Sequence, residues 1–204
     1  MIAVVDYGLG NTRAFVNVFK QLNIPAKAVC SANELRAATR IILPGVGAFD
    51  KAMELLQKSG MRESLEEMVI EKGVPVLGVC VGMQILAASS EEGRLSGLSW
   101  IRGRVRRFDA SRIAQDTRLP HMGWNDIRPV AESALFSGLG ETPRFYFLHS
   151  YYFECDSEED VLAYADYGGL FSCAVRYRNV HGVQFHPEKS HINGTRLLKN
   201  FAEL

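Results

Sequence analysis

Short apolar runs alternate with helical patterns through the first half of the sequence, and this order restricts the fold more than any other feature. The runs at 2–5, 41–43 and 74–79 are apolar throughout, as expected for strands that helices cover on both faces of a sheet. An alternation of strands and helices predicts an α/β fold with a mainly parallel central sheet flanked by helices. The strands predicted in this half are 2–5, 26–29, 41–43 and 74–79, and the helices are 11–22, 49–59 and 61–71.

From Trp100 onward, the pattern changes to β-rich runs separated by turn residues. We therefore expect extra antiparallel strands in the second half. The strands predicted here are 100–107, 125–128, 145–153, 161–164, 173–177 and 180–185. A final amphipathic helix over about 193–204 places Leu197, Leu198 and Phe201 on its inner face. Because no repeat, low-complexity tract or linker divides the chain, we expect one domain over 1–204.

Charge and composition exclude several classes of partner. Lys plus Arg and Asp plus Glu both number 23, so no net charge attracts nucleic acid or an anionic membrane surface. The first residues enter a strand pattern directly and no apolar run is long enough to cross a membrane, so a cytoplasmic location is expected. The cysteines are scattered and form no C-x-x-C pair, so neither a metal site nor a disulfide framework is predicted.

Cys80 stands where a buried strand turns into a helix. Gly78 and Gly82 flank it, and a sharp strand-to-helix bend needs residues without a Cβ atom at such positions. We expect this bend to push the thiol into the open. Unpaired N–H groups and the dipole of the helix N-terminus favour a thiolate there, and the N–H of Val81 can donate to an oxyanion. The alternative is that Cys80 is a small buried hydrophobic residue, as most cysteines are.

A candidate general base lies near the end of the chain, in the segment His186-Pro187-Glu188. Pro187 favours an extended backbone at His186, so the side chains of His186 and Glu188 can point to one side. His186 can then pair with a thiol while Glu188 fixes its tautomer. A single histidine of this kind is more often structural. Its combination with the strand-to-helix bend at Cys80, called the elbow below, favours a catalytic role.

The segment Pro44-Gly45-Val46-Gly47 leaves a buried strand and turns into a helix. In a doubly wound sheet, loops that follow neighbouring strands meet at the carboxyl edge, so this loop is expected beside Cys80. Its N–H groups then supply a second oxyanion donor. The alternative is a loop that requires glycine for its turn alone.

The Pro-Gly-Val-Gly, Gly-Val-Cys-Val-Gly-Met-Gln and Val-Gln-Phe-His-Pro-Glu-Lys-Ser segments occur in one chain in this order. Together they resemble the class I, triad-type glutamine amidotransferases. Three further segments, at 6–11, 120–125 and 147–152, resemble the glutaminase subunits of imidazole glycerol phosphate synthase. The likeness covers nearly the whole chain.

This resemblance implies a flavodoxin-like amidotransferase fold that hydrolyses glutamine to glutamate and ammonia without a cofactor. The implied partner is a (β/α)8-barrel cyclase subunit that uses the ammonia to make imidazole glycerol phosphate and an aminoimidazole carboxamide ribotide in histidine biosynthesis. The implied site residues are Cys80, His186 and Glu188 for catalysis, the backbone of Val81, Val46 and Gly47 for the oxyanion, Gln84, Gly45, His149, Ser150 and Tyr151 for glutamine binding, and Trp124 and Lys189 for the partner interface. Tyr146 is a further interface candidate, because aromatic residues are enriched at interfaces. The alternative for Trp124 is a core residue.

Three further functions fit parts of the sequence. The stretches 90–93 and 188–194 are similar to paralogues that supply ammonia to a sugar amidotransferase system in surface glycan synthesis. A cysteine hydrolase or peptidase on the same scaffold is the second possibility, and a non-catalytic interaction module is the third. A dinucleotide-binding turn after the first strand is disfavoured because Arg13 occupies the place of its third glycine. Arg102, Arg104 and Arg106 alternate along a predicted strand and are expected to form a solvated edge, with contact to an anionic partner or ligand as the alternative.

Overall fold

A computed structural model describes residues 1–116, 118–130 and 132–204. The strands are β1 (Ile2–Val5), β2 (Ala26–Val29), β3 (Arg40–Gly45), β4 (Val76–Cys80), β5 (Ser89–Ser90), β6 (Gly103–Arg107), β7 (His121–Asp126), β8 (Arg128–Pro129), β9 (Arg144–His149), β10 (Tyr151–Cys155), β11 (Val161–Asp166), β12 (Leu170–Tyr177) and β13 (Val180–Val183). The α-helices are α1 (Thr12–Gln21), α2 (Ala32–Leu35), α3 (Phe49–Lys58), α4 (Arg62–Glu66), α5 (Val81–Gln84) and α6 (His191–Glu203).

The strands of the first half of the chain, together with β13 from near its end, form the parallel part of a central sheet, in the order β2-β1-β3-β4-β13. β1, β4 and β13 are buried along their whole length, because helices pack on both faces of the sheet. Helix α1 begins after Asn11, whose side chain accepts the N–H of Ala14, and it buries Phe15 and Phe19. The parallel α/β arrangement predicted from the sequence is confirmed.

The second half extends this sheet with antiparallel strands. β12 pairs with β11 along one edge and with β13 and β10 along the other, and β10 also pairs with β6. Exposed ion pairs cross from β6 to Glu154 on β10, since Arg104 and Arg106 both contact that carboxylate. The predicted antiparallel extension is therefore confirmed, and two of the three alternating arginines belong to an ion-paired surface.

The segment 145–153, predicted as one strand, is two strands in different sheets. β9 pairs with β7 in a separate two-stranded sheet, whereas β10 joins the central sheet, and the chain changes direction at Ser150. The prediction was wrong because both halves of the segment are β-rich, and only their different partners separate them. The predicted strand 125–128 is likewise divided between the end of β7 and β8.

The β7–β9 sheet has two distinct faces, and these position the site. Its inner face carries His121 and Asn125 of β7 and Phe147 and His149 of β9, and apart from the half-buried Asn125 these side chains are buried. Its outer face carries Met122, Trp124, Tyr146 and Leu148.

Several element boundaries differ from the predicted ones by a few residues. β6 begins at Gly103 rather than residue 100, although Trp100 and Ile101 are buried in the core. The predicted helix 61–71 is α4 followed by a π-helical turn over Glu67–Glu71. Within the described residues, no helix combines the length and the apolar character needed to cross a membrane.

Candidate active site

Cys80 lies at the bend between β4 and α5 with φ 56° and ψ −114°. This backbone conformation is strained for a residue with a side chain, and it is possible because the neighbouring glycines leave room. A Cβ atom on Gly78 would lie 2.6 Å from the carbonyl oxygen of Gly82, and one on Gly82 would lie 1.9 Å from that of Leu43. The glycine requirement predicted for the bend is confirmed.

The thiol does not project into open solvent, so the expectation of an open thiol is wrong. Cys80 is only 4% exposed and lies at the wall of a cavity of about 280 Å³. The bend directs the side chain outward from the sheet, but the β9–β10 junction covers it, and the Sγ atom is 3.8 Å from the carbonyl oxygen of Leu148. A buried thiol at the wall of a cavity is accessible only to a small ligand that enters this cavity.

His186 and Glu188 form a buried pair, with 2.8 Å between His186 Nδ1 and Glu188 Oε1. His186 has an extended backbone, and Glu188 belongs to the 3₁₀ turn Pro187–Lys189 that follows it. Burial alone lowers the pKa of His186, but hydrogen bonds to Cys80 and Glu188, together with their negative charges, raise it to about 10. The contacts with a sulfur and a carboxylate therefore favour the protonated form of the His186 ring.

The loop after β3 lies directly beside Cys80. Gly45 is the ladder partner of Cys80 in the parallel pairing of β3 and β4. A Cβ atom on Gly45 would lie 2.4 Å from the backbone nitrogen of Gly82, so the loop packs tightly on the first turn of α5. N–H groups in the first turn of a helix have no partners within that helix. The loop and the start of α5 therefore present backbone donors at one place.

The cavity collects residues from the elbow, the β3 loop, the β9–β10 junction and the chain around His186. Its lining residues are Val46, Gly47, Cys80, Val81, Gln84, Glu92, Pro120, Leu148, His149, Ser150, Tyr151, His186 and Lys189. A nucleophile, a base and backbone donors around a cavity of this size can carry out acyl transfer on a small substrate. Among the residues that the structure describes, no group of three or more His, Cys, Asp or Glu side chains is arranged to hold a metal ion.

A family model described as glutamine amidotransferase class-I matches residues 3–204. The chain belongs to this family. The amidotransferase is 59% identical over 204 residues to the imidazole glycerol phosphate synthase subunit HisH of Bdellovibrio bacteriovorus, and 53% identical over 204 residues to that of Leptospira interrogans. In both cases the match covers 100% of each chain. A crystal structure titled glutamine amidotransferase has the same fold, with a TM-score of 0.74 and 24% identity over 99% of this chain and 97% of that chain.

Most of the residues predicted to bind glutamine line the cavity of the amidotransferase. Gln84 donates hydrogen bonds to the carbonyl oxygen of Tyr151 and to Gln184 Oε1, both at 3.1 Å. His149, Ser150 and Tyr151 form the wall at the β9–β10 junction. Gly45 is the exception, because it faces the backbone of α5 and is not among the lining residues.

Sequence reasoning missed three residues of the site. Gln184 is fully buried, and its Nε2 lies 3.8 Å from Cys80 Sγ. Glu92 lines the cavity and accepts the N–H of Phe49 at 2.8 Å, which fixes this carboxylate at the start of α3. Ser190 donates to the carbonyl oxygen of His186 and accepts the N–H of Tyr146. Gln184 and Ser190 stand within the histidine motif itself, and this position was the available signal.

The residues predicted at a partner interface lie together at the surface. Trp124 is 41% exposed, so the alternative that it is a core residue is wrong. Its ring stacks on His191, with centroids 5.2 Å apart, and meets the ring of Tyr146 edge-on. Lys189 lines the cavity and places its ammonium group 5.8 Å from the centroid of the Tyr146 ring. This aromatic cluster therefore adjoins the cavity wall at Lys189.

Proposed function

We propose that this chain hydrolyses glutamine to glutamate and ammonia with Cys80, His186 and Glu188, and that the ammonia is used by a cyclase subunit of imidazole glycerol phosphate synthase. The observation that carries the proposal is the buried pair of His186 and Glu188 beside a strained cysteine at the wall of a cavity. The HisH relatives support the pathway, since the chain matches them over its full length. They do not favour the alternative in surface glycan synthesis.

In this mechanism, the Cys80 thiolate attacks the side-chain amide carbon of glutamine. The resulting oxyanion accepts the N–H of Val81 and a second N–H from the Val46–Gly47 part of the β3 loop. His186 Nε2 then gives its proton to the departing ammonia, which leaves a thioester on Cys80. Water attacks the thioester as His186 takes its proton, and glutamate is released. Glu188 accepts the Nδ1 proton of His186 throughout, which keeps Nε2 directed at the reacting atoms.

Glutamine fits the cavity in one orientation on chemical grounds. Its side-chain amide must reach Cys80, which places its α-ammonium and α-carboxylate toward the other walls. Glu92 is the carboxylate among the described lining residues, and it suits the α-ammonium group. The ammonium group of Lys189, which also lines the cavity, suits the α-carboxylate.

The β3 loop suits a switch for the second oxyanion donor. Gly47 has φ +91° and no atom within 4 Å of the place where a Cβ atom would lie, so this part of the loop is unrestrained by packing. Val46 is exposed at the cavity, whereas Gly45 is fixed against α5. Rotation of a peptide unit between the fixed Gly45 and the unrestrained Gly47 would complete the oxyanion hole when the nucleotide substrate binds to the synthase.

The outer face of the β7–β9 sheet suits the partner. This docking face consists of Met122, Trp124, Tyr146 and Leu148, of which Met122 is 61% exposed. A contiguous exposed apolar and aromatic surface is typical of a protein interface. It adjoins the cavity, because Leu148 belongs to both. A (β/α)8-barrel cyclase bound here would form a heterodimer and receive ammonia through its own interior.

The test is a glutaminase assay of the purified chain with and without the cognate cyclase subunit. We expect very low activity of the chain alone and strong stimulation when the cyclase and its nucleotide substrate are present, with imidazole glycerol phosphate formed from glutamine. Ammonia as the nitrogen source should support the cyclase without this chain. Stimulation by a sugar-modifying synthase and none by the cyclase would reject the pathway. The cytoplasmic location, the single domain and the absence of nucleic-acid or membrane partners stay predictions of the sequence.

A further inference from the structure

Two buried histidines contact each other on the inner face of the β7–β9 sheet. His121 and His149 are partners in the antiparallel register, and His121 Nδ1 lies 3.0 Å from His149 Nε2. The mechanism above assigns no proton transfer to either ring. Phe147 and Tyr167 stack on the His121 ring, with centroids 4.8 Å and 4.0 Å away. The packing therefore fixes the position of His121 closely.

The neighbours of the two rings fix both tautomers. His149 Nδ1 lies 2.8 Å from the carbonyl oxygen of Tyr151, which can only accept, so His149 carries its proton on Nδ1. Burial lowers the pKa of His149 to about 3 and that of His121 to about 4, so both rings are neutral near pH 7. His149 Nε2 must then accept, and His121 Nδ1 donates to it. His121 Nε2 is left to accept a hydrogen bond from Asn125 Nδ2 at 3.3 Å.

These bonds continue without a break to the nucleophile. The Tyr151 carbonyl oxygen that accepts from His149 also accepts from Gln84 Nε2. Gln84 in turn donates to Gln184, whose Nε2 lies 3.8 Å from Cys80 Sγ. A hydrogen-bond network thus connects β7, behind the docking face, to the thiol, and the Tyr151 carbonyl oxygen accepts from both halves of it. Each buried member has its direction set by the next, because a neutral imidazole has one donor and one acceptor.

The end of this hydrogen-bond network that is farthest from Cys80 lies on β7, the strand that carries Trp124. Asn125 follows Trp124 directly and points to the opposite face, where its Nδ2 donates to the carbonyl oxygen of Asp166 as well as contacting His121. Any displacement of β7 by a protein bound at the docking face moves both residues together. The hydrogen-bond network then transmits this displacement to the β9–β10 wall of the cavity, which must hold the glutamine side chain.

We propose that His121 is a positioning residue, which orients His149 and the Tyr151 carbonyl for glutamine binding and couples the docking face to the glutamine cavity. This inference rests on the proposed function. His121 does not touch the cavity, so it acts through His149. Its removal leaves a buried acceptor on His149 unpaired, which releases the β9–β10 wall from its fixed position.

The test compares His121→Phe, which keeps the stacked ring but removes both nitrogens, with His121→Asn, whose amide nitrogen replaces Nδ1. His181→Phe is the matched control, because His181 is also a buried neutral histidine but contacts Asn179 and Phe201 instead of the site. Asn125→Ala removes the side chain that donates to His121, and Asn125 is only half-buried. This variant replaces His121→Phe in the test if His121→Phe does not fold. Melting temperatures establish which variants are folded.

Two rates are measured. The first is covalent labelling of Cys80 in the chain alone by a diazoketone analogue of glutamine, and the second is glutaminase activity with and without the cyclase subunit. We expect His121→Phe to raise the half-saturating concentration of analogue and the glutamine KM by about tenfold, as the loss of one buried hydrogen bond implies. In the same variant, the ratio of stimulated to basal activity should fall by about fivefold or more. His121→Asn should restore most of the glutamine affinity and most of the stimulation ratio, and His181→Phe should keep the wild-type value of each.

Wild-type labelling and an unchanged stimulation ratio in folded His121→Phe or Asn125→Ala would overturn the inference, and so would an equal loss in His181→Phe. Failure of the proposed function is a separate result. It would appear as absence of glutaminase activity in the wild-type chain with the cyclase, whereas the labelling experiment would still report on His121.

Discussion

Gly45 and Cys80 are partners across two parallel strands, so the loop that follows Gly45 begins beside the nucleophile. Strand pairing at the carboxyl edge of the sheet is therefore enough to bring the β3 loop and Cys80 together. The same pairing requires glycine at position 45, since a side chain there would meet the backbone of Gly82 at the start of α5. The relationship explains why the elbow and the β3 loop are each rich in glycine.

Replacement of Cys80 by Ala or Ser should abolish glutamine hydrolysis and leave the fold intact, because the nucleophile is lost with little change in volume. We also expect a gain of stability in Cys80→Gly, since φ 56° is a left-handed conformation that glycine adopts without strain. Glutaminase assays and urea unfolding check both results. Measurable turnover in Cys80→Ala would exclude the proposed mechanism.

His186→Ala should lose nearly all activity, because no group remains to protonate the leaving ammonia. The loss in Glu188→Gln should be smaller by about tenfold or more, since an orienting residue contributes less than a proton-transferring one. The amide oxygen still accepts the His186 Nδ1 proton, and Glu188 Oε2 has no hydrogen-bond partner among the described residues that could be lost. Single-turnover rates at saturating glutamine measure both variants. Equal loss in the two would give Glu188 a direct chemical role.

Trp124→Ala should weaken binding of the cyclase subunit by about 2 kcal/mol, or roughly 30-fold, if the ring is an anchor of the interface. Its thermal stability should change little, because the ring is 41% exposed. Tyr177→Ala is a control of similar exposure at the far end of β12, and it should bind the cyclase normally. Calorimetry gives the affinities. Normal binding with a large drop in melting temperature in Trp124→Ala would show that the ring has a packing role only.

Gly47→Ala should reduce the stimulation of glutaminase by the cyclase and its nucleotide substrate, chiefly through kcat. The φ of +91° costs a residue with a Cβ atom about 1 kcal/mol or more, so the loop would shift toward another conformation. Open space around the position means that no clash spreads to the core. The Kd of the complex should stay within about twofold of wild type, which is a smaller free-energy change than the RT ln 10 of a tenfold loss of affinity. Undiminished stimulation would leave the loop as a structural turn.

Stability should fall as the pH drops from 6.5 toward 4. Burial lowers the pKa of His181 to about 4 in the folded state, below its usual value, so the unfolded chain binds a proton in this range that the folded chain does not. Folding is then weakened by about 1.4 kcal/mol per pH unit for each such histidine. His181→Phe should therefore show a shallower decline than wild type in urea unfolding between pH 4.5 and 7.5. Parallel curves would mean that His181 is protonated when folded.

The sequence by itself determined the features that depend on local chemistry. The elbow glycines around Cys80, the extended backbone before Pro187 and the order of strands and helices all follow from residue types that are close in the chain. The short spacing of His186 and Glu188 similarly allows one turn to join them. Such features depend on backbone geometry that each segment adopts with little help from distant residues.

Only the tertiary structure decided which distant groups meet. Glu92 belongs to the site because long-range packing brings it to the cavity wall, and nothing in its local sequence distinguishes it from other surface carboxylates. The division of 145–153 between two sheets has the same origin, since hydrogen-bond partners rather than β-propensity end β9 at His149. Trp124 is exposed because its strand has one covered face, and strand alternation alone does not tell which face that is.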